Sequence, residues 1–359
     1  MTHQAESPQP RQTEERTLRE EHIRFDAAWV ARSSLVVLLI LTIAIAFWTL
    51  RQVVFLAFAG LLLAIVFRHG ANAISARTPL GPKTALAFVI VGLAALISMI
   101  FMSTGPRITS EFATLSNTLP DALHDIETRL RDTDWGAFLL RQIESRSDPG
   151  NWSILGFITG TFSTLFGVIA NLFVVLSVAI FLAVDPAVYR QGALALVPQR
   201  LTGRVAEYFD KTGTGLFRWV LGQLVAMIAV AVLMAGGLIW IGTPVPIALA
   251  IIAGVTNFIP YLGPYIGGAP AVLIAFSVDP VSALWVAGLI FVVQNIEGNF
   301  ITPNVQKQAT SLAPALIIMT VVAFGVLFGL LGIMFATPIL FVVVTAVRMF
   351  YIEDALGKS

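Results

Sequence analysis

The residues of this chain best suited to chemistry are polar side chains set into apolar sequence. Gln294, Asn295, Glu297 and Asn299 lie at and just beyond the end of an apolar run over 281–296. Asn257 stands shortly before a second group, Pro260, Gly263, Pro264 and Gly267. Amide side chains and exposed backbone carbonyls suit a small, neutral, hydroxyl-rich solute. The same oxygens are hard ligands for a sodium ion. A carboxylate within or beside a bilayer is a functional candidate by default, so Glu297 is the candidate carrier of a proton or sodium ion. The structural alternative is a helix-end carboxylate that snorkels to the interface. Asp279, next to Pro280, is a second candidate for coupling, with an interfacial turn as its structural alternative.

Enzyme chemistry finds little to work with. The histidines are His3, His22, His69 and His124, none in the apolar C-terminal third, and the chain has no cysteine. No metalloprotease helix motif or nucleophile elbow is present. Asp185 and Asp279 both precede prolines and read as helix stops. No enzyme activity, resident metal or cofactor is expected.

The elements that must position these groups follow from composition. Of 359 residues, 57% are hydrophobic and 12% are charged, at a net charge of +1. Soluble domains carry about 25% charged residues. Residues 219–347 contain only Asp279, Glu297 and Lys307 as charges. Lipid is therefore the expected main solvent, and the near-neutral charge offers no electrostatic footprint for nucleic acid. The expected fold is an all-α polytopic membrane protein with about eight hydrophobic elements.

Residues 1–32 read as a cytoplasmic polar tail and 33–105 as three spans. The first two of those spans form a tight hairpin at Arg51-Gln52. Residues 106–153 carry five Arg and eight acids, and read as a small extracytoplasmic helical domain. Its Ile108, Phe112, Leu115, Leu119, Leu123, Ile126 and Leu130 recur at helical spacing, with Pro120 splitting the stripe. Trp135, Phe138, Leu139 and Ile143 suggest a further helix. Residues 154–185 form a span ended by Asp185-Pro186. Residues 186–218 form a cytoplasmic amphipathic segment lying along the membrane face, with Leu201, Val205, Tyr208 and Phe209 on its apolar side. Residues 219–350 form a transport core and 351–359 a cytoplasmic tail. Lys and Arg near span ends place both termini in the cytoplasm.

Two elements of the core are broken. Apolar stretches 247–259 and 269–278 flank the Pro/Gly-rich segment 260–268. Residues 311–350 run nearly 40 positions, too long for one straight span, with Gly325, Gly329, Gly332 and Pro338 inside. In hydrocarbon, broken backbone survives only inside protein or against a watery cavity, and transporter sites are built from such segments. Each element either crosses the membrane, giving eight spans, or re-enters it, giving six spans and two hairpins.

At these residues the chain resembles the autoinducer-2 exporter family. The resemblance rests on Asn257-Phe258-Ile259-Pro260-Tyr261-Leu262-Gly263-Pro264 with Gly267 and Pro270, and on Val293-Gln294-Asn295-Ile296-Glu297-Gly298-Asn299 with Pro303. The glycine-rich stretch 324–338 and Gly222-Gln223 fit as well. It implies a polytopic inner-membrane transporter that forms homo-oligomers. Some members of the family are linked to export of autoinducer-2, and others to exchange of sodium or lithium for protons. Many members carry His-Pro where this chain has Ala313-Pro314, so proton coupling here should rest on Glu297 or Asp279. The expected function is export of a small polar solute, such as an autoinducer-2-like signal, coupled to an ion gradient. The alternative is a sodium(lithium)/proton antiporter. The expected motion is an elevator-like shift of both broken elements against the N-terminal spans.

Overall fold

The computed structural model describes residues 27–131, 165–259, 262–301 and 313–357. Among these residues the regular structure is entirely helical. The helices, in chain order, are α1 (Ala27–Ser75), α2 (Pro82–Arg131), α3 (Leu165–Val184), α4 (Pro186–Ala195), α5 (Gln199–Ile241), α6 (Pro246–Thr256), α7 (Gly263–Val278), α8 (Pro280–Ile296) and α9 (Pro314–Ala346). Wider π-helical turns extend α8 over Glu297–Ile301 and α9 over Val347–Ala355.

Five of these helices are long and apolar enough to cross a membrane, or six if α3 and α4 form one span bent by 84° at Asp185. The chain is a multi-pass membrane protein. Helices α6 and α7 are apolar but short, at 11 and 16 residues. At 1.5 Å per residue they rise about 16 and 24 Å, less than the hydrocarbon thickness.

The chain forms two compact units, residues 1–54 and 55–359. In the first, the described residues are helical, and no turn interrupts α1 at Arg51-Gln52. The expected hairpin there is corrected. The pair contains neither Gly nor Pro, and the Arg51 guanidinium lies over the Trp48 ring at 4.7 Å, which accommodates its charge without breaking the helix.

In the second unit, α2 runs unbroken from the third apolar run into the leucine stripe, through Pro106 and Pro120. The stripe therefore does not begin a separate domain at 106. Leu115 and Leu119 are buried in one core with Val230, Met234 and Leu238 of α5, Ala248, Leu249, Ala250 and Ala253 of α6, Ala271 and Ile274 of α7, and Val286 and Val293 of α8. Phe112 packs against the same core. Burial of Leu115 and Leu119, which lie between the two prolines, outweighs the one backbone bond each proline removes. Trp135, Phe138, Leu139 and Ile143 lie outside the described residues.

The expected amphipathic segment 186–218 divides into α4 and the N-terminal part of α5. Residues 199–218 are the first turns of α5 and continue directly into the span. Two of their side chains, Arg204 and Tyr208, reach the C-terminal turn and the end of α9. Arg204 pairs with Glu353 at 2.7 Å and Asp354 at 2.8 Å, and the Tyr208 hydroxyl donates to the Val342 carbonyl at 3.0 Å. The helix stop at Asp185-Pro186 appears where the sequence places it.

Candidate transport site

Both broken elements are present, but the first break is shorter than the expected 260–268, since α6 ends at Thr256 and residues 263–268 already form the first turns of α7. In the first, α6 and α7 fold back on each other. A methyl group built on Gly267 would meet Ala253 Cα at 2.5 Å, and one on Gly263 would meet Asn257 Cα at 2.7 Å. Contacts that pair 257 with 263 and 253 with 267 define an antiparallel helical hairpin. Hydrogen at those two positions lets the helix backbones touch.

The second break lies inside α9. Gly329 has φ 66° and ψ −145°, a region that side-chain-bearing residues avoid. A methyl group on Gly332 would strike the Phe324 carbonyl and the Phe328 side chain. Residues eight apart would be about 12 Å apart along a straight helix. Here they touch, so α9 reverses sharply at Gly329.

The tip of the α6–α7 hairpin is built from buried polar and aromatic groups. Asn257 caps the end of α6 and is 5% exposed. Its backbone carbonyl accepts a hydrogen bond from Nε2 of Gln223 on α5, which is 4% exposed. The next residue, Phe258, has its ring 5.8 Å from Trp219 and 6.3 Å from Phe335 of α9. Phe335 in turn packs on Phe55 and Phe58 of α1 at 5.9 Å each. Thr337, two residues further along α9, is buried with its hydroxyl unpaired among protein atoms. The two broken elements thus meet through Phe258 and Phe335.

The residues after α8 lie level with this tip. Helix α8 returns along α7, and a methyl on Gly268 would touch Ile290 at 2.9 Å. One turn further brings Gln294 to the level of Pro264, and the Glu297–Ile301 turn packs beside α5. Gln294 and Glu297 are half-buried, while Asn295 and Asn299 are exposed. Asn295 donates to the Phe291 carbonyl of its own helix at 2.8 Å. The sequence-predicted groups Asn257, Gly263, Pro264, Gly267, Gln294, Asn295, Glu297 and Asn299 therefore gather at one end of the α5–α8 bundle. Pro260 lies outside the described residues.

Asp279 sits elsewhere. It lies at the far end of α7, about 24 Å of helix from the tip. Its carboxylate caps α8 by accepting from the Ser282 amide at 3.1 Å. Among the described residues no cluster of His, Asp and Glu could hold a metal ion.

Sequence reasoning missed two kinds of residue. Trp219, Phe258 and Phe335 look like ordinary apolar positions, because no local pattern says which aromatics from distant helices will meet. Glu111 of α2 sits in charged sequence that reads as solvent-facing. Its Oε2 instead accepts from the backbone amides of Ile247 and Ala248, at 2.7 and 2.9 Å. It therefore caps α6 at the end of the hairpin opposite the tip.

The protein YueF of Bacillus subtilis (strain 168), named as a candidate transport protein, is 28% identical over 269 residues, covering 71% of this chain and 72% of that protein. A second such protein of the same organism, YrrI, is 31% identical over 159 residues, covering 44% and 45%. PerM of Escherichia coli (strain K12), named as a candidate permease, is 22% identical over 182 residues, covering 48% and 52%. The family model described as AI-2E family transporter matches residues 35–352. With nearly the whole membrane part inside that match, the chain belongs to the AI-2E family of transporters.

Proposed function

We propose that this chain is a secondary transporter that exports a small polar solute, autoinducer-2 or a molecule of similar chemistry, and couples export to an ion gradient through Glu297. The observation that supports this most is the meeting of two broken apolar elements at the Phe258–Phe335 contact, level with the Glu297 turn. Broken backbone in hydrocarbon needs a protein wall or a watery cavity, and transporters use it to reach solutes near the midplane. Asn257, Gln294, Asn295 and Asn299 supply amides for a hydroxyl-rich solute. Glu297 is the carboxylate at that level, and Asp279 is engaged in capping α8. The sharp reversal of both elements favours re-entrant hairpins over crossings. The hairpins would shift together against the long helices.

The reading is of a permease and not an enzyme. It puts both termini in the cytoplasm on the distribution of Lys and Arg, and takes the membrane as a bacterial inner membrane on the family resemblance. Homo-oligomeric assembly is part of the proposal on the family resemblance. The leucine stripe does not add to it, because Leu115 and Leu119 are covered within the chain.

The test is flux of autoinducer-2 in proteoliposomes under imposed proton and sodium gradients. The expected result is accumulation against the solute's own gradient, collapsed by dissipating the driving ion. Absence of solute flux under every gradient would overturn the export reading. Sodium or lithium exchange for protons in the same vesicles would then put the antiporter in its place.

A further inference from the structure

The base of the α6–α7 hairpin is held by one side chain from outside the C-terminal bundle. Helix α6 begins with Pro246, which has no amide hydrogen, so Ile247 and Ala248 carry the first free donors. Both donate to the same oxygen, Oε2 of Glu111. The other oxygen, Oε1, accepts from Arg107 Nε at 3.1 Å. The Glu111 side chain is only 11% exposed. A negative charge at a helix N-terminus is stabilising, and a partly buried carboxylate that accepts two backbone amides is more so.

The turn that feeds α6 is under strain. Val245, immediately before Pro246, has φ 48° and ψ 47°. A β-branched side chain in this left-handed region is a true outlier. Strain of this kind persists where surrounding structure over-determines it. Two residues earlier, Thr243 is 7% exposed and its hydroxyl has no partner among protein atoms. The preceding Gly242 is itself left-handed, at φ 81°, where α5 ends. Four residues thus hold a left-handed glycine, an orphaned buried hydroxyl and a strained valine, all beside one carboxylate clamp.

We infer that Glu111 is a positioning residue for transport: a latch that holds the α6–α7 hairpin on α2, with the Gly242–Val245 turn as its hinge. This rests on the hairpin moving, as the proposed function requires. The latched arrangement is the one seen. Releasing Glu111 frees two amides and lets Val245 leave its left-handed conformation, so the hairpin can reorient as a unit. Phe112, Leu115 and Leu119 lie on the same stretch of α2 and pack against the core that includes the hairpin.

The experiment compares wild type, Glu111→Gln and Glu111→Ala by amide hydrogen exchange over the segment that contains Ile247 and Ala248, in reconstituted protein. The glutamine variant keeps an acceptor oxygen of the same reach and serves as the folded control. Exchange of those amides is expected to rise about tenfold in Glu111→Ala, the factor set by losing one such bond, and to stay near wild type in Glu111→Gln. Unchanged exchange in Glu111→Ala would overturn the latch, whether or not the protein transports autoinducer-2. If wild type carries the solute, Glu111→Ala is also expected to lower maximal flux several-fold with little change in the half-saturating concentration, and Glu111→Gln to restore it. Raised exchange with undiminished flux would overturn the positioning role. A wild type that carries no solute would sink the export reading while exchange still decides the latch.

Discussion

The ring of Phe258 stands edge-on to the ring of Phe335, 6.3 Å between centroids at 75°, and this contact joins the two broken elements. Directly before Phe258, the Asn257 carbonyl takes its hydrogen bond from Gln223. One short stretch of chain therefore carries both the polar and the aromatic anchor of the hairpin tip. Replacing Gln223 by Leu leaves that buried carbonyl without its partner. The expected cost is about 1–3 kcal/mol, the penalty of a buried unsatisfied acceptor. A lowered unfolding temperature in lipid nanodiscs, together with reduced flux, would bear this out. Unchanged stability would show that the bond is replaceable.

Backbone contact within the hairpin depends on two glycines. Gly263→Ala and Gly267→Ala each press a methyl group into the backbone of α6. Overpacking of this kind costs roughly 1–3 kcal/mol. Gly288 of α8 has open space around it, so Gly288→Ala is expected to be neutral or to stabilise by up to about 1 kcal/mol through helix propensity. Thermal unfolding of the three variants gives the comparison.

Reversal of α9 depends on the dihedrals of Gly329 and not on space, since nothing lies within 4 Å of its would-be methyl. Gly329→Ala forces a side chain into a region reserved for glycine, at a cost of order 1–3 kcal/mol. Flux is expected to fall with stability. Gly236→Ala, also in open space but inside α5, is the matched control and should retain both.

Asp279 acts as a helix cap. Asp279→Asn keeps an acceptor for the Ser282 amide and should preserve stability and ion-driven flux. Asp279→Ala should cost about 1 kcal/mol, the usual loss of an N-cap. Loss of coupling in Asp279→Asn, with the fold intact, would return this residue to the ion pathway.

Much of this arrangement was legible in the sequence. Charge-free stretches named the membrane helices, and Pro and Gly at 260–268 and 325–338 named the breaks, because those residues change the backbone locally. Helical spacing identified the face that carries Phe112, Leu115 and Leu119. It could not say what covers that face, and the covering helices lie more than a hundred residues away. Arg51-Gln52 suggested a turn through polarity alone. A lone arginine can instead lie over a neighbouring tryptophan inside a helix, so polarity without Gly or Pro was a weak signal. Glu111 was illegible for the same reason as the aromatic contact: its partners are backbone amides of a remote helix.

The central claim is that Glu297 couples solute movement to an ion. The most direct measurement is autoinducer-2 flux in proteoliposomes under an imposed proton or sodium gradient, for wild type and Glu297→Gln at matched protein incorporation. The account predicts gradient-driven accumulation in wild type and only downhill, gradient-independent movement in Glu297→Gln, with the unfolding temperature unchanged. Wild-type accumulation that persists in Glu297→Gln would contradict it.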